Sequence, residues 1–189
     1  MLRFLNHIVC WLWIILLVGC QQENPANQST DKETPAASDV TQPEESSSKS
    51  LVESAQGEVV GVYDGDTCTL LVGKEEYKIR LEGIDTPEMD QAFGVQARTF
   101  TSLRVSDRQV VVTVHDIDRY GRFVGRVQID GVDLSVALVS EGLAWHYTRY
   151  SDDAVLARAE AEARAKKVGL WSQRSPVPPW EFRRQGRAR

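Results

Sequence analysis

Between residues 64 and 122 the chain carries charged side chains that a hydrophobic core has no use for. Asp66 ends "DGD", Arg80 lies in "YKIRLEGI", Asp85, Thr86 and Glu88 follow in "IDTPE", and Arg122 closes "DRYGR". Two aspartates with a nearby backbone carbonyl and waters make a hard, all-oxygen site suited to Ca²⁺ or Mg²⁺. A cation held in that way can polarise a phosphoryl oxygen. Arginine suits phosphate because its planar guanidinium makes charge-assisted, often bidentate hydrogen bonds. A further carboxylate, here Glu88, can orient or deprotonate a water. Together these are the parts for phosphodiester hydrolysis.

Each piece also has a plainer reading. Asp64-Gly65 is a common turn, and "DTPE" can open a helix with Thr86 as cap and Pro87 at the first helical position. "DRYGR" can be a hairpin turn with Gly121 in the left-handed region. An arginine on a polar strand face can simply be solvated. The chemical reading rests on the pieces occurring together, in this order, around one end of a sheet.

The elements that would bring them there are legible in the alternation of apolar residues. "GEVVGVY" (57–63), "DTCTLLVG" (66–73) and "EEYKIRLEGI" (75–84) read as three successive strands joined by turns at Asp64-Gly65 and Gly73-Lys74. In the third, Tyr77, Ile79 and Leu81 share one face and Arg80 points from the other. A meander of these strands puts the start of the second and the end of the third at one end of the sheet, where Asp66 and Asp85 can meet. A helix is expected over about 95–105, with Phe100 and Leu103 inward. Strands follow over 109–117 and 122–130. Asp133 is placed to cap a helix running to Glu141, with Gly142 as its stop. Ser151 is a possible cap for a last helix in which Val155, Leu156, Ala159 and Ala163 form the buried stripe. Five strands and three flanking helices predict an α+β domain built on a small OB-like β-barrel.

Composition divides the chain of 189 residues. An apolar run from Ile8 to Val18 is shorter than the roughly 20 residues a spanning helix needs, and fits the core of an export signal over 1–19. Its end, Leu17-Val18-Gly19-Cys20, resembles a bacterial lipobox, which implies cleavage before Cys20 and lipidation of its thiol. Residues 21–56 are rich in Gln, Asn, Ser, Thr, Pro and Glu and read as a disordered tether. A flexible chain of that length spans roughly 30–35 Å. Of the net charge of −5, most lies in residues 1–56, where 3 basic residues face 7 acidic ones; the remainder has 19 against 20. That balance excludes a polycationic coat for nucleic acid but not an enzyme using a few placed arginines. Three cysteines are present; Cys10 is expected to leave with the signal and Cys20 to carry lipid. Cys68 alone can build neither a disulfide framework nor a zinc site.

"YDGDT", "RLEGIDTPE", "DRYGR" and "EARAKKVGLW" resemble, in order and over about Gly57 to Trp171, the thermonuclease or staphylococcal nuclease-like family. The resemblance implies a Ca²⁺-dependent nuclease of low sequence specificity, acting on DNA and RNA and leaving 3′-phosphate ends. It places the cation on Asp66, Asp85 and the main-chain carbonyl of Thr86. The phosphate-binding arginines fall on Arg80 and Arg122, the active-site glutamate on Glu88, and a nucleotide-stacking tyrosine on Tyr150. Two departures bear on substrate binding: "MDQAFGV" is short and lacks lysines, and Thr148 stands where a second tyrosine is expected. The expected organisation is a signal over 1–19, Cys20 and tether over 20–56, the nuclease-like domain over 57–173, and a Pro/Arg-rich tail over 174–189. The protein is expected to be a monomer held by lipid on an envelope membrane, the outer one in a double-membraned host. A non-cutting binding module and an envelope interaction protein are the alternatives; the five expected catalytic and metal side chains argue against the first.

Overall fold

The computed structural model describes residues 54–186. The expected signal, Cys20 and all but the last residues of the tether lie outside the described residues. Strands β1 (Ser54–Val62), β2 (Thr67–Val72) and β3 (Glu75–Leu81) form the expected antiparallel meander. After a two-residue strand β4 (Ile84–Asp85) come helix α1 (Gly94–Val105) and strands β5 (Gln109–Ile117) and β6 (Phe123–Ile129). β5 pairs antiparallel with both β1 and β6, and β6 runs parallel to β3, so β1, β2, β3, β5 and β6 close into a barrel. A short β7 (Val132–Asp133) leads into α2 (Leu134–Ser140); β8 (Trp145–His146), α3 (Ala154–Lys166) and α4 (Pro179–Gly186) complete the described chain.

The barrel is filled by the alternate residues of its strands, among them Val59, Leu70, Ile79, Leu81, Val112 and Val127, each at most 1% exposed. Leu134 and Leu138 of α2 and Leu156 of α3 join the same cluster. Removing such side chains from water contributes about 1.5–3 kcal/mol apiece. A second cluster of Trp145, Ala163, Leu170 and Trp171 lies outside the barrel, with Trp180 of α4 packed against it.

Several local expectations change. The third strand breaks at Gly83, whose φ of +72° makes a turn between β3 and β4. "DTPE" does not open a helix; α1 begins at Gly94. Leu103 is 80% exposed, because the buried side of α1 is Ala97, Thr101 and Val105. Asp153 rather than Ser151 caps α3: its carboxylate accepts from the Val155 and Leu156 amides, while the Ser151 hydroxyl accepts from the Asp153 amide. That start turns Val155 outward, leaving Leu156, Ala159 and Ala163 as the buried stripe. Among the described residues there are four α-helices rather than three, since part of the tail forms α4.

Candidate active site

Asp66 sits at the mouth of the barrel, just before β2, and is 4% exposed. Its Oδ2 accepts hydrogen bonds from the Thr86 amide at 2.7 Å and the Thr86 hydroxyl at 3.0 Å. Its Oδ1 accepts from the Thr67 hydroxyl at 3.2 Å. The approach of the two loops depends on Gly65: a Cβ there would lie 2.7 Å from the Ala97 Cβ and 2.8 Å from the Thr86 Cγ2. The turn that could have been ordinary is therefore pressed against both "IDTPE" and α1.

Asp85 is fixed by β4, which pairs with β8 so that Asp85 stands opposite Trp145. Arg80, paired with Thr67 across β2 and β3, puts Nη2 at 3.1 Å from both Asp66 Oδ2 and Asp85 Oδ1. The two aspartates, 19 residues apart in the sequence, thus share one nitrogen. Arg183 of α4 grips Asp85 from elsewhere, with Nη2 at 2.7 Å from Oδ2 and Nη1 at 3.3 Å from Oδ1. The same Nη1 is 2.7 Å from Glu88 Oε1. Asp66, Arg80, Asp85, Arg183 and Glu88 form a chain of alternating charge.

Negative charge is nevertheless crowded here. Burial pushes the Asp85 carboxyl up, and the charge of Asp66 adds to this, against the hydrogen bonds and charge of Arg183 and the charge of Arg80. Burial, then the charge of Asp66, pushes the neighbouring Asp64 up to about 6.

Glu88 is half-buried, and its backbone is packed against Gly94 at the start of α1. A Cβ on Gly94 would fall 1.8 Å from the Glu88 carbonyl oxygen. Gln91 closes the loop, accepting from the Glu88 amide through its side chain and donating its own amide to the Glu88 carbonyl. The short "MDQAFGV" segment is thus a tight holder for Glu88.

Arg122 lies beside this cluster, in the turn between β5 and β6. Asp118, in the same "DRYGR" motif, accepts from Arg122 Nε at 2.8 Å and lies 2.7 Å from its Nη2. Asp118 Oδ1 also accepts from the Tyr120 and Arg122 amides. Burial raises the Asp118 carboxyl, but these hydrogen bonds and the charge of Arg122 outweigh it and hold the group below its ordinary value. Arg122 Nη1 reaches the Thr67 hydroxyl at 3.4 Å, and Thr67 in turn touches Asp66. "DRYGR" is both a hairpin turn, with Gly121 at φ +76°, and the holder of a site arginine.

These residues line one groove of about 1390 Å³, walled further by Tyr120, Tyr147, Tyr150 and Trp180. That is more than the 300–1,000 Å³ typical of a small-molecule pocket. Tyr150 is 64% exposed, with its ring edge-on to Tyr147 at 4.9 Å; Thr148 also faces the groove. All of the expected catalytic and metal residues, and Tyr150, therefore border a single groove, whereas Cys20 lies outside the described residues.

Residues 78–173 match the family described as staphylococcal nuclease homologue. The chain belongs to that family. It is 41% identical over 145 residues to "Protein ParB" of Escherichia coli, covering 71% of this chain and 82% of that protein. It is 39% identical over 140 residues to "Micrococcal nuclease" of Shigella flexneri, covering 68% and 80%. An "Uncharacterized endonuclease" of Escherichia coli O157:H7 is 41% identical over 128 residues, covering 67% and 84%. As a staphylococcal nuclease homologue the chain is a nuclease, a hydrolase, on an OB-like barrel.

The donor set fits the hard divalent cation expected in this family. Two buried aspartates lie close enough to share one positively charged nitrogen. Among the described residues no three His, Cys, Asp or Glu side chains converge as a complete cage. Asp66, Asp85 and the Thr86 carbonyl would hold the ion, with water filling the remaining positions.

Sequence reasoning missed three residues of this site. Asp118 and Thr67 stand inside or beside the quoted motifs, and only the fold reveals what they touch. Arg183 lies 98 residues from Asp85 and beyond the family match; no spacing signal could have found it.

Proposed function

We propose that the protein is a Ca²⁺-dependent nuclease that cuts DNA and RNA with low sequence specificity and leaves 3′-phosphate ends. The observation that carries this reading is the convergence of Asp66, Asp85, Glu88, Arg80 and Arg122 on one groove. Glu88 takes a proton from a water as the water oxygen bonds to phosphorus. The P–O5′ bond opposite breaks, and the departing 5′ oxygen takes a proton from solvent. Arg80 and Arg122 donate to the phosphoryl oxygens as charge builds on them, which stabilises the transition state more than the ground state. When bound, the cation supplies further neutralisation of that charge. Tyr150, exposed on the groove wall, offers a face for one base, worth roughly 1–3 kcal/mol.

One chain carries every side chain this reading needs, which supports action as a monomer. The lipobox-like Leu17–Cys20 and the polar tether support a lipid on Cys20 that holds the domain outside the cytoplasm, on the outer membrane of a double-membraned host. Among the described residues no helix is long and apolar enough to cross a membrane.

The test is cleavage of single-stranded DNA by the purified full-length chain with Ca²⁺, with a chelator, and with Glu88→Gln. Cutting should need Ca²⁺, fall at least about 10²-fold in the variant, and leave 3′-phosphate ends. A folded wild type that binds the strand but fails to cut it, whichever divalent cation is supplied, would instead be a binding module.

A further inference from the structure

The chain beyond the family match is built into the site. Trp180 lies flat on Tyr147, with centroids 4.8 Å apart and planes 2° apart, and meets Trp145 edge-on at 5.7 Å. Gln91, from the loop that holds Glu88, donates to the Val177 carbonyl at 2.6 Å. These contacts seat α4 so that Arg183 reaches inward. Arg80 engages Asp66 Oδ2 and Asp85 Oδ1, while Arg183 covers Asp85 Oδ2 and Glu88 Oε1 at 2.7 Å each.

One guanidinium therefore holds both an expected cation ligand and the carboxylate expected to handle water. A divalent cation on Asp85 would stand within a few ångströms of Arg183. Two positive charges that close in a partly buried site repel, so an ion on Asp85 weakens the hold of Arg183 and Arg183 weakens the hold on the ion. Arg183 is 37% exposed at its side chain, which leaves it room to swing away.

We propose that Arg183 sets the affinity of the site for its divalent cation, with α4 holding the guanidinium on Asp85 and Glu88 until the ion takes its place. The inference rests on the reading of Asp85 as a cation ligand. It makes Arg183 a positioning residue and couples cation loading to the release of Glu88.

The experiment is a calorimetric Ca²⁺ titration of the full-length chain without nucleic acid, for wild type, Arg183→Gln, Trp180→Ala and Asp85→Asn. Arg183→Gln should bind about fivefold more tightly than wild type, the upper end for a partly exposed ion pair. Trp180→Ala keeps the guanidinium but unseats the helix, and should also bind more tightly; it decides the matter if Arg183→Gln does not fold. If Asp85→Asn loses binding while both other variants bind as wild type or more weakly, Arg183 has no such role and the cation reading stands. If Asp85→Asn binds as wild type does, the cation reading fails and this inference falls with it.

Discussion

Asp118→Asn should slow the enzyme while leaving it folded. The variant keeps an oxygen for the Tyr120 and Arg122 amides, both now bonded to Asp118 Oδ1, so the turn survives. What it loses is Oδ2, which faces Arg122 Nε at 2.8 Å and Nη2 at 2.7 Å. An amide –NH₂ turned towards a guanidinium offers no acceptor. The two side chains are 20% and 27% exposed, so the stability cost should be small, about 0.5–1 kcal/mol. The kinetic cost should be larger. Removing a transition-state donor outright costs about 10²–10³-fold, whereas here Arg122 remains but is loosened, so a fall of about tenfold in kcat/KM is expected, or ~1.4 kcal/mol. The assay is cleavage of a fluorescent oligonucleotide in a double-mutant cycle with Arg122→Gln. Because Asp118 acts through Arg122, the double variant should be no slower than Arg122→Gln alone. Fully additive losses, or an Asp118→Asn enzyme within twofold of wild type, would refute this role. The pH dependence has a definite sign. The folded-state value is depressed below 3.8, so the stabilisation is present above the unfolded value and is lost as pH falls through the folded one. The stability gap between wild type and Asp118→Asn should therefore close in acid below about pH 4.

Three further outcomes follow from the packing. Gly94→Ala puts a methyl 1.8 Å from the Glu88 carbonyl; thermal unfolding should show a loss of about 1–3 kcal/mol, and cleavage assayed below the melting range should still fall, because Glu88 is displaced. Burial pushes the Cys68 thiol from 9.0 up to about 12. In a chain lacking its other cysteines, a disulfide reagent at pH 8 should modify this thiol only after denaturant is added, and rapid native labelling would contradict its burial. Its contribution to stability should hold below pH 9 and decline as pH rises towards 12, since only the unfolded chain ionises there. Cys20→Ala should move the protein from the membrane fraction to the soluble one with cleavage of free substrate unchanged; continued membrane association would argue against the lipid anchor.

What could be read before folding was whatever local chemistry dictates. Alternation in "KIRLEGI" separates Arg80 from Ile79 and Leu81 because adjacent strand side chains point oppositely. The meander itself brings Asp66 and Asp85 to one end of the sheet. Helix starts were harder, because Ser151 and Asp153 are both able caps and the choice depends on which face of α3 meets the barrel. Leu103 looked like a core residue, but Ala97, Thr101 and Val105 take that side of α1. Contacts between distant segments were beyond local reading altogether. Nothing local to "DRYGR" shows that the Asp118 Oδ2 rests on Arg122, and Arg183 is by sequence one of several tail arginines. Its place depends on Trp180 finding Tyr147 and on Gln91 reaching Val177, contacts made only once the barrel and β4–β8 have closed. The types and order of the charged residues belong to the sequence. Which arginine rests on which carboxylate was settled by packing, because ion pairs form wherever the folded backbone leaves opposite charges within reach.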